Sequence, residues 1–232
     1  MCDEERFVLR NARHLAAGYM NAILRHGDVA VDATMGNGKD TQFLCELVGE
    51  EGHVYAFDVQ KEAVERTAAR LKEAGYENRA TLLLAGHETM KEHVQSAPRV
   101  VMFNLGWLPG AEHIVTTKTE TTLTAVQAAI ELIVPGGFVS ICVYPGHEEG
   151  TKELHALLDW AGKLPVREYN VLHHAFINAR EGTPERASRS AITTCPPLSK
   201  KCVRKSHSSA YRRPSPTPAR SRKCFWITGW IS

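Results

Sequence analysis

Apolar residues recur every three to four positions between Phe7 and Leu24 (Phe7, Leu9, Leu15, Tyr19, Met20, Ile23, Leu24), which is the period of an amphipathic helix, and "HGD" stops it. Beyond that point the chain alternates between short unbroken apolar runs and longer helical stretches. The runs "VAVDA" (29–33), "HVYAFDV" (53–59), "ATLLLAG" (80–86), "PRVVMFNL" (98–105), "FVSICVYPG" (138–146) and "VREYNVLHHAFI" (166–177) read as six strands. Between them lie four helical stretches. "GKDTQFLCELVG" ends at Gly49, "KEAVERTAARLKEAG" is closed by Gly75, and "TETTLTAVQAAIELIV" is stopped by Pro135-Gly136-Gly137. "EEGTKELHALLDWAGK" precedes the last strand. Strands alternating with helices predict a mostly parallel sheet covered on both faces, a doubly wound, Rossmann-like α/β fold. "TLLLA" and "RVVMF" have the continuous apolar character of strands buried on both sides.

Composition narrows the class. No apolar run reaches the ~18 residues a membrane helix needs, and the charged start "MCDEERFVLR" lacks the apolar centre of a signal peptide. Six cysteines, at 2, 45, 142, 195, 202 and 224, form no CxxC pair and no metal-ligand spacing. A reduced, cytoplasmic protein without metal or membrane partner is the expectation. The net charge of +2 hides an asymmetry. Residues 183–232 hold 11 Lys/Arg and one Glu, together with six Pro and nine Ser, whereas residues 1–182 hold 17 basic and 25 acidic residues. Such a tail cannot bury enough apolar surface to fold alone, so a boundary is expected near Gly182.

"VDATMGNGKDT" (31–41) places Asp32 at the end of the first strand, then Gly36, Asn37 and Gly38 in a tight turn, then Asp40 and Thr41 in the first helical turn. The glycines let backbone approach a ligand. Asp58 ends the second strand, where such folds set a carboxylate on a ribose diol. A pyrophosphate would be repelled by Asp32 and Asp40, and Thr41 takes the place of the third glycine of a dinucleotide fingerprint. The same carboxylates suit a cofactor with a cationic amino-acid end, which is S-adenosylmethionine. The structural alternative is that Asp32 and Asp40 only cap the turn and helix. His87, after the third strand, falls where an adenine edge would lie, or is an ordinary loop histidine.

The fourth strand runs into "FNLGWLPG" (103–110), poor material for continuing a strand and placed where open α/β sheets carry their chemistry. Together, "VDATMGNGKDT", "AFDVQ", "AGHE", "FNLGWLPG", "YPGHEEG" and "FIN" resemble, in order, a small class I methyltransferase family. That family was long labelled rRNA methylase and is assigned as tRNA 5-(aminomethyl)-2-thiouridine methyltransferase, acting at the wobble uridine. The resemblance spans roughly residues 10–178. It implies cofactor contacts at the glycine turn, at Asp58 with Gln60 and around His87, substrate near Asn104, tRNA (its anticodon stem-loop) as partner, and a homodimer. Lys39 stands where the family usually has His, Trp107 where Tyr is common, and Glu112-His113 where Asp-Lys is usual.

For such a reaction the amine must be neutral and held about 3 Å from the methyl. The Asn104 carbonyl can accept a hydrogen bond from it, or Asn104 is turn chemistry. Leu105 and Gly106 take the place of the two prolines that amine methyltransferases often carry there. Trp107 either stacks on a splayed base or packs in a core or dimer interface. His147 is the leading proton acceptor, with water as acceptor or helix capping by His147 as the alternatives. Tyr144 is expected to line the substrate pocket instead. Arg6, Arg10, Arg13, His14 and Arg25 offer a basic patch for RNA in an otherwise acidic body.

The family ends soon after "FIN" with a final apolar strand, antiparallel to its neighbours, that fills the gap beside the fifth. "FINAREGTPERASRSAITTCPP" offers none, so the last strand is missing or replaced. Three readings stand: a basic RNA-binding tail, replacement of the strand by "KCFWITGWI" (223–231), or a change of reading frame from about residue 180. The abrupt change of composition favours the last.

Overall fold

A computed structural model describes residues 12–106, 117–144, 148–174 and 223–228. The elements are α1 (Ala12–Ile23), β1 (Val29–Asp32), α2 (Lys39–Val48), β2 (His53–Asp58), α3 (Lys61–Ala74), β3 (Ala80–Leu84), α4 (Met90–His93) and β4 (Val100–Asn104). They continue with α5 (Thr119–Leu132), β5 (Phe138–Cys142), α6 (Glu148–Ala161), β6 (Tyr169–His174) and β7 (Lys223–Thr228). Every strand foreseen from the apolar runs is present. Gly75 closes α3 as its neighbours predict: at φ 70° it takes the left-handed conformation, and the Gly75 and Tyr76 N–H groups reach the Lys72 and Leu71 carbonyls.

The strands form one sheet in the order β3-β2-β1-β4-β5-β7-β6, and every pairing in it is parallel. Winding reverses between β1 and β4, whose registers set Asp32 opposite Met102. A crevice at the carboxyl ends of these two strands is where such a sheet places ligands. β4 and β5 are buried along almost their whole length, as unbroken apolar runs should be. β3 is not: it forms the edge, is only partly covered, and leaves Leu84 57% exposed. An apolar run alone does not distinguish a central strand from an edge strand packed on one side. Phe57, Phe103 and Phe138 are fully buried in the core, and truncating any one to alanine costs roughly 3–5 kcal/mol.

The gap beside β5 is filled. Phe138–Cys142 pair with Cys224–Thr228, and β6 pairs with the other side of β7. "KCFWITGWI" therefore supplies the replacement strand, but parallel to its neighbours rather than antiparallel. An antiparallel partner needs only a tight hairpin, whereas a parallel one needs a long crossover, and residues 175–222 separate β6 from β7. α5 and α6 are joined by carboxylates on one face of α6. Glu149 accepts from the Thr119 N–H and hydroxyl, and buried Glu153 accepts from Thr117 and Thr122.

Candidate active site

The turn after β1 is held from beneath by α3. Thr67 Oγ1 donates to the Gly36 carbonyl at 3.2 Å, Arg70 Nε to the Asn37 carbonyl at 2.8 Å, and Arg66 Nη1 to Asn37 Oδ1 at 3.1 Å. Gly38 has φ 75°, and a Cβ there would lie 2.8 Å from Thr67 Oγ1 and 2.9 Å from its Cα. Glycine is thus required twice over, by conformation and by contact with α3. None of Thr67, Arg66 and Arg70 is evident from the glycine motif, although their spacing puts them on one face of a helix.

The β2 carboxylate meets this turn. Asp58 Oδ2 accepts the Gly36 N–H and Oδ1 the Gln60 N–H, each at 3.0 Å. Burial raises the Asp58 carboxyl above its ordinary value, and these backbone donors pull it back. His87 is buried, with Nδ1 3.1 Å from the Ala33 carbonyl and its ring edge-on to Phe103. A carbonyl only accepts, so Nδ1 carries a proton and Nε2 presents a lone pair. Burial lowers the ring's affinity for a second proton. His87 is therefore a fixed neutral group rather than a loose loop side chain.

Asp32 is fully buried. Its Oδ2 accepts from Thr41 Oγ1 at 2.7 Å and its Oδ1 from the Thr34 N–H at 3.1 Å. Burial first, and then the nearby Asp40 carboxylate, push its pKa up to about 7 against those two donors. Asp40 does not cap α2, whose N-cap residue is Gly38 with no side-chain cap bond. Instead Asp40 Oδ1 takes Arg13 Nε and Nη2, each at 2.6 Å, and Oδ2 takes Asn104 Nδ2 at 3.2 Å. Arg13, expected on an RNA-facing patch, reaches into the site. Two carboxylates side by side, one fully buried and one paired with Arg13, make this end of the sheet disfavour a phosphate.

Asn104 stands at the end of β4, half-buried. Its backbone N–H donates to Thr34 Oγ1 and its Oδ1 accepts from the Tyr144 hydroxyl, both at 2.7 Å. Leu105, expected beside substrate, turns into the core instead at 1% exposure. Gly106 follows at φ 143°. Trp107, His147, Arg6 and Arg10, along with Glu112 and His113, lie outside the described residues. Asp32, Asp40, Thr41 and Asn104 are brought together, and Gly36, Asn37, Asp58 and Gln60 form the adjoining wall. Thr34, two residues after Asp32 in "VDATMGNGKDT", joins the site as well, bonding Asp32 through its N–H and Asn104 through its hydroxyl.

A family model described as "Putative rRNA methylase" matches residues 54–187. The chain is 37% identical over 173 residues to the "tRNA (mnm(5)s(2)U34)-methyltransferase, chloroplastic" of Arabidopsis thaliana. That match covers 70% of this chain and 63% of the relative, so the chain spans less than two thirds of that protein's length. A "putative rRNA-methylase" structure from Clostridium thermocellum is 34% identical, with TM-score 0.75, covering 80% of this chain and 98% of its own. A "putative methyltransferase" of Streptococcus mutans, solved in complex with SAH, is 33% identical, with TM-score 0.69, covering 78% and 96%. With the strand order and the β1–β4 crevice, these similarities settle the assignment: the chain belongs to the rRNA methylase family of Rossmann-like class I methyltransferases.

Proposed function

We propose that the chain transfers a methyl group from S-adenosylmethionine to the amine of 5-aminomethyl-2-thiouridine at the wobble position of tRNA. The observation that carries this is Asn104. A neutral carboxamide, held at both ends, closes a wall otherwise made of carboxylates, at the end of the strand where the sheet's winding reverses. Identity to the chloroplastic tRNA methyltransferase supports the substrate, and family membership supports the reaction.

The residues present fit the cofactor. Asp32 and Asp40 suit a cationic ammonium, Asp58 retains lone pairs for a diol, and His87 Nε2 offers an acceptor to an adenine amino group. Gly36, Asn37, Gly38, Thr41 and Gln60 complete the proposed contacts. When bound, S-adenosylmethionine supplies a sulfonium methyl open to in-line displacement. The protein's part is to hold the amine neutral and oriented. Asn104 Oδ1, having taken one hydrogen from Tyr144, keeps a second lone pair for an amine N–H. His147 is the proposed proton acceptor, Trp107 the proposed base-stacking residue, and Arg10 a proposed phosphate contact.

The cytoplasm and a homodimer belong to the same proposal. Buried Cys45, a thiol outside any disulfide, supports a reducing compartment, and among the described residues no helix is long and apolar enough to cross a membrane. The family's description favours a second reading, methylation of rRNA. Incubating the protein with labelled cofactor and either tRNA bearing the aminomethyl precursor or rRNA separates the two. Label in tRNA alone is the expected result, and label in rRNA alone overturns it.

A further inference from the structure

Three contacts leave the Asn104 carboxamide a single orientation. Nδ2 donates to Asp40, Oδ1 accepts from the Tyr144 hydroxyl, and the backbone N–H is tied to Thr34. Asp40, whose other oxygen holds Arg13, is a carboxylate and only accepts, so the NH2 end of the amide must face it. A half-turn of the amide would set its carbonyl against that carboxylate. The carbonyl end therefore faces Tyr144, and the phenol must donate. Tyr144 lies two residues past the end of β5, which runs beside β4 with Asn104 in register with Cys142. Gly106 turns the chain past its ring: a Cβ there would lie 3.6 Å from Tyr144 Cδ2, and φ 143° disfavours any other residue.

We propose that Tyr144 is a positioning residue for methyl transfer: from the side opposite Asp40, its hydroxyl fixes Asn104 so that the remaining carbonyl lone pair meets the substrate amine. This rests on the reaction proposed above. Arg13, Asp40, Asn104 and Tyr144 form one cluster, in which Asn104 bonds both Asp40 and Tyr144. The arrangement also limits the substrate. One acceptor position remains on the carbonyl, so the nucleophile must bring an N–H, as a primary or secondary amine does and a tertiary amine does not.

Tyr144→Phe deletes only the hydroxyl. It should lower kcat by about tenfold, the worth of one lost hydrogen bond in the transition state, with KM for tRNA and cofactor affinity within about twofold. In single turnovers the double variant Tyr144→Phe/Asn104→Ala should be no slower than Asn104→Ala alone, because the hydroxyl's part in the reaction is to hold Asn104. 3-Fluorotyrosine at 144, which keeps the hydroxyl, should restore the rate. Independently of any substrate, the side-chain NH2 resonances of Asn104 in 15N-labelled protein, identified by their loss in Asn104→Ala, should move in Tyr144→Phe. Unmoved resonances, or rate losses that multiply in the double variant, would overturn the proposal. If wild-type protein methylated no tRNA, the proposed function would fall, while the resonance measurement would still decide whether Tyr144 holds Asn104.

Discussion

The two flanks of the sheet are tied by different means. On the β3-β2-β1-β4 flank, side chains close the loops: Asp58 and Thr67 on Gly36, Thr34 on Asn104, and Asp40 between Arg13 and Asn104. On the other flank, β7 joins β5 and β6 through backbone ladders, five register pairs on one side and six on the other. The inner flank is tied by side chains 22 to 70 positions apart in the chain, while the outer flank depends on a strand that returns after residues 175–222. The candidate site sits where side chains from separate elements tie the loops together, and the returning strand protects an otherwise open edge of β5.

The largest test breaks the outer flank. Ile227→Pro removes a donor from the interior of a strand with partners on both sides, and should cost about 3 kcal/mol or more, read as a sharply lower Tm. An unchanged Tm would mean that the sheet does not rely on β7. Asn104→Ala tests the other flank. Turnover should fall by about 100-fold, because the amine loses its orienting acceptor, while cofactor affinity and Tm change little. Wild-type turnover in that variant would remove Asn104 from the mechanism.

Asp32 offers a sharper probe of the inner flank. Its carboxyl titrates near 3.8 ordinarily and at about 7 here, so between those values the folded protein keeps a proton that the unfolded chain releases. Asp32 therefore favours folding in full below pH 3.8, and this contribution is lost as pH rises through about 7. Asp32→Asn should raise the Tm of the cofactor-free protein at pH 8, leave it nearly unchanged at pH 3.5, and weaken cofactor binding at pH 8 far more than at pH 3.5, where the wild-type carboxyl is already protonated. In the wild type, an ammonium beside Asp32 favours the carboxylate, so cofactor affinity should rise with pH through this range, with proton release visible by calorimetry in buffers of different ionisation enthalpy. Equal pH profiles for the two proteins would contradict this. The smallest effect belongs to the β3 edge: Leu84→Thr, at a 57% exposed position, should change stability by no more than about 0.5 kcal/mol.

How much of this could be read beforehand follows the same division. The strands of the inner flank, the glycine turn, Asp32, Asp40, Asp58 and the placement of Asn104 were all legible, because apolar periodicity and turn chemistry are local. β3 as an edge was not, since an apolar run records packing on a face and not the presence of neighbours. Arg13 read as a surface cation, because nothing along a helix announces a carboxylate on another element. The Tyr144–Asn104 bond was equally hidden: it depends on β4 and β5 being adjacent, which no spacing encodes. The boundary expected near Gly182 lies outside the described residues, and "KCFWITGWI" drew attention only because the resemblance left a gap to fill.

The central claim is most directly tested by nucleoside mass spectrometry of tRNA carrying 5-aminomethyl-2-thiouridine, after incubation with S-adenosylmethionine and either the wild-type protein or Asn104→Ala. The account predicts that with wild type the wobble nucleoside gains one methyl group on its amine, and that with the variant it is almost unchanged. A wobble nucleoside unaltered by the wild-type protein, or a methyl found elsewhere in the RNA, would contradict it.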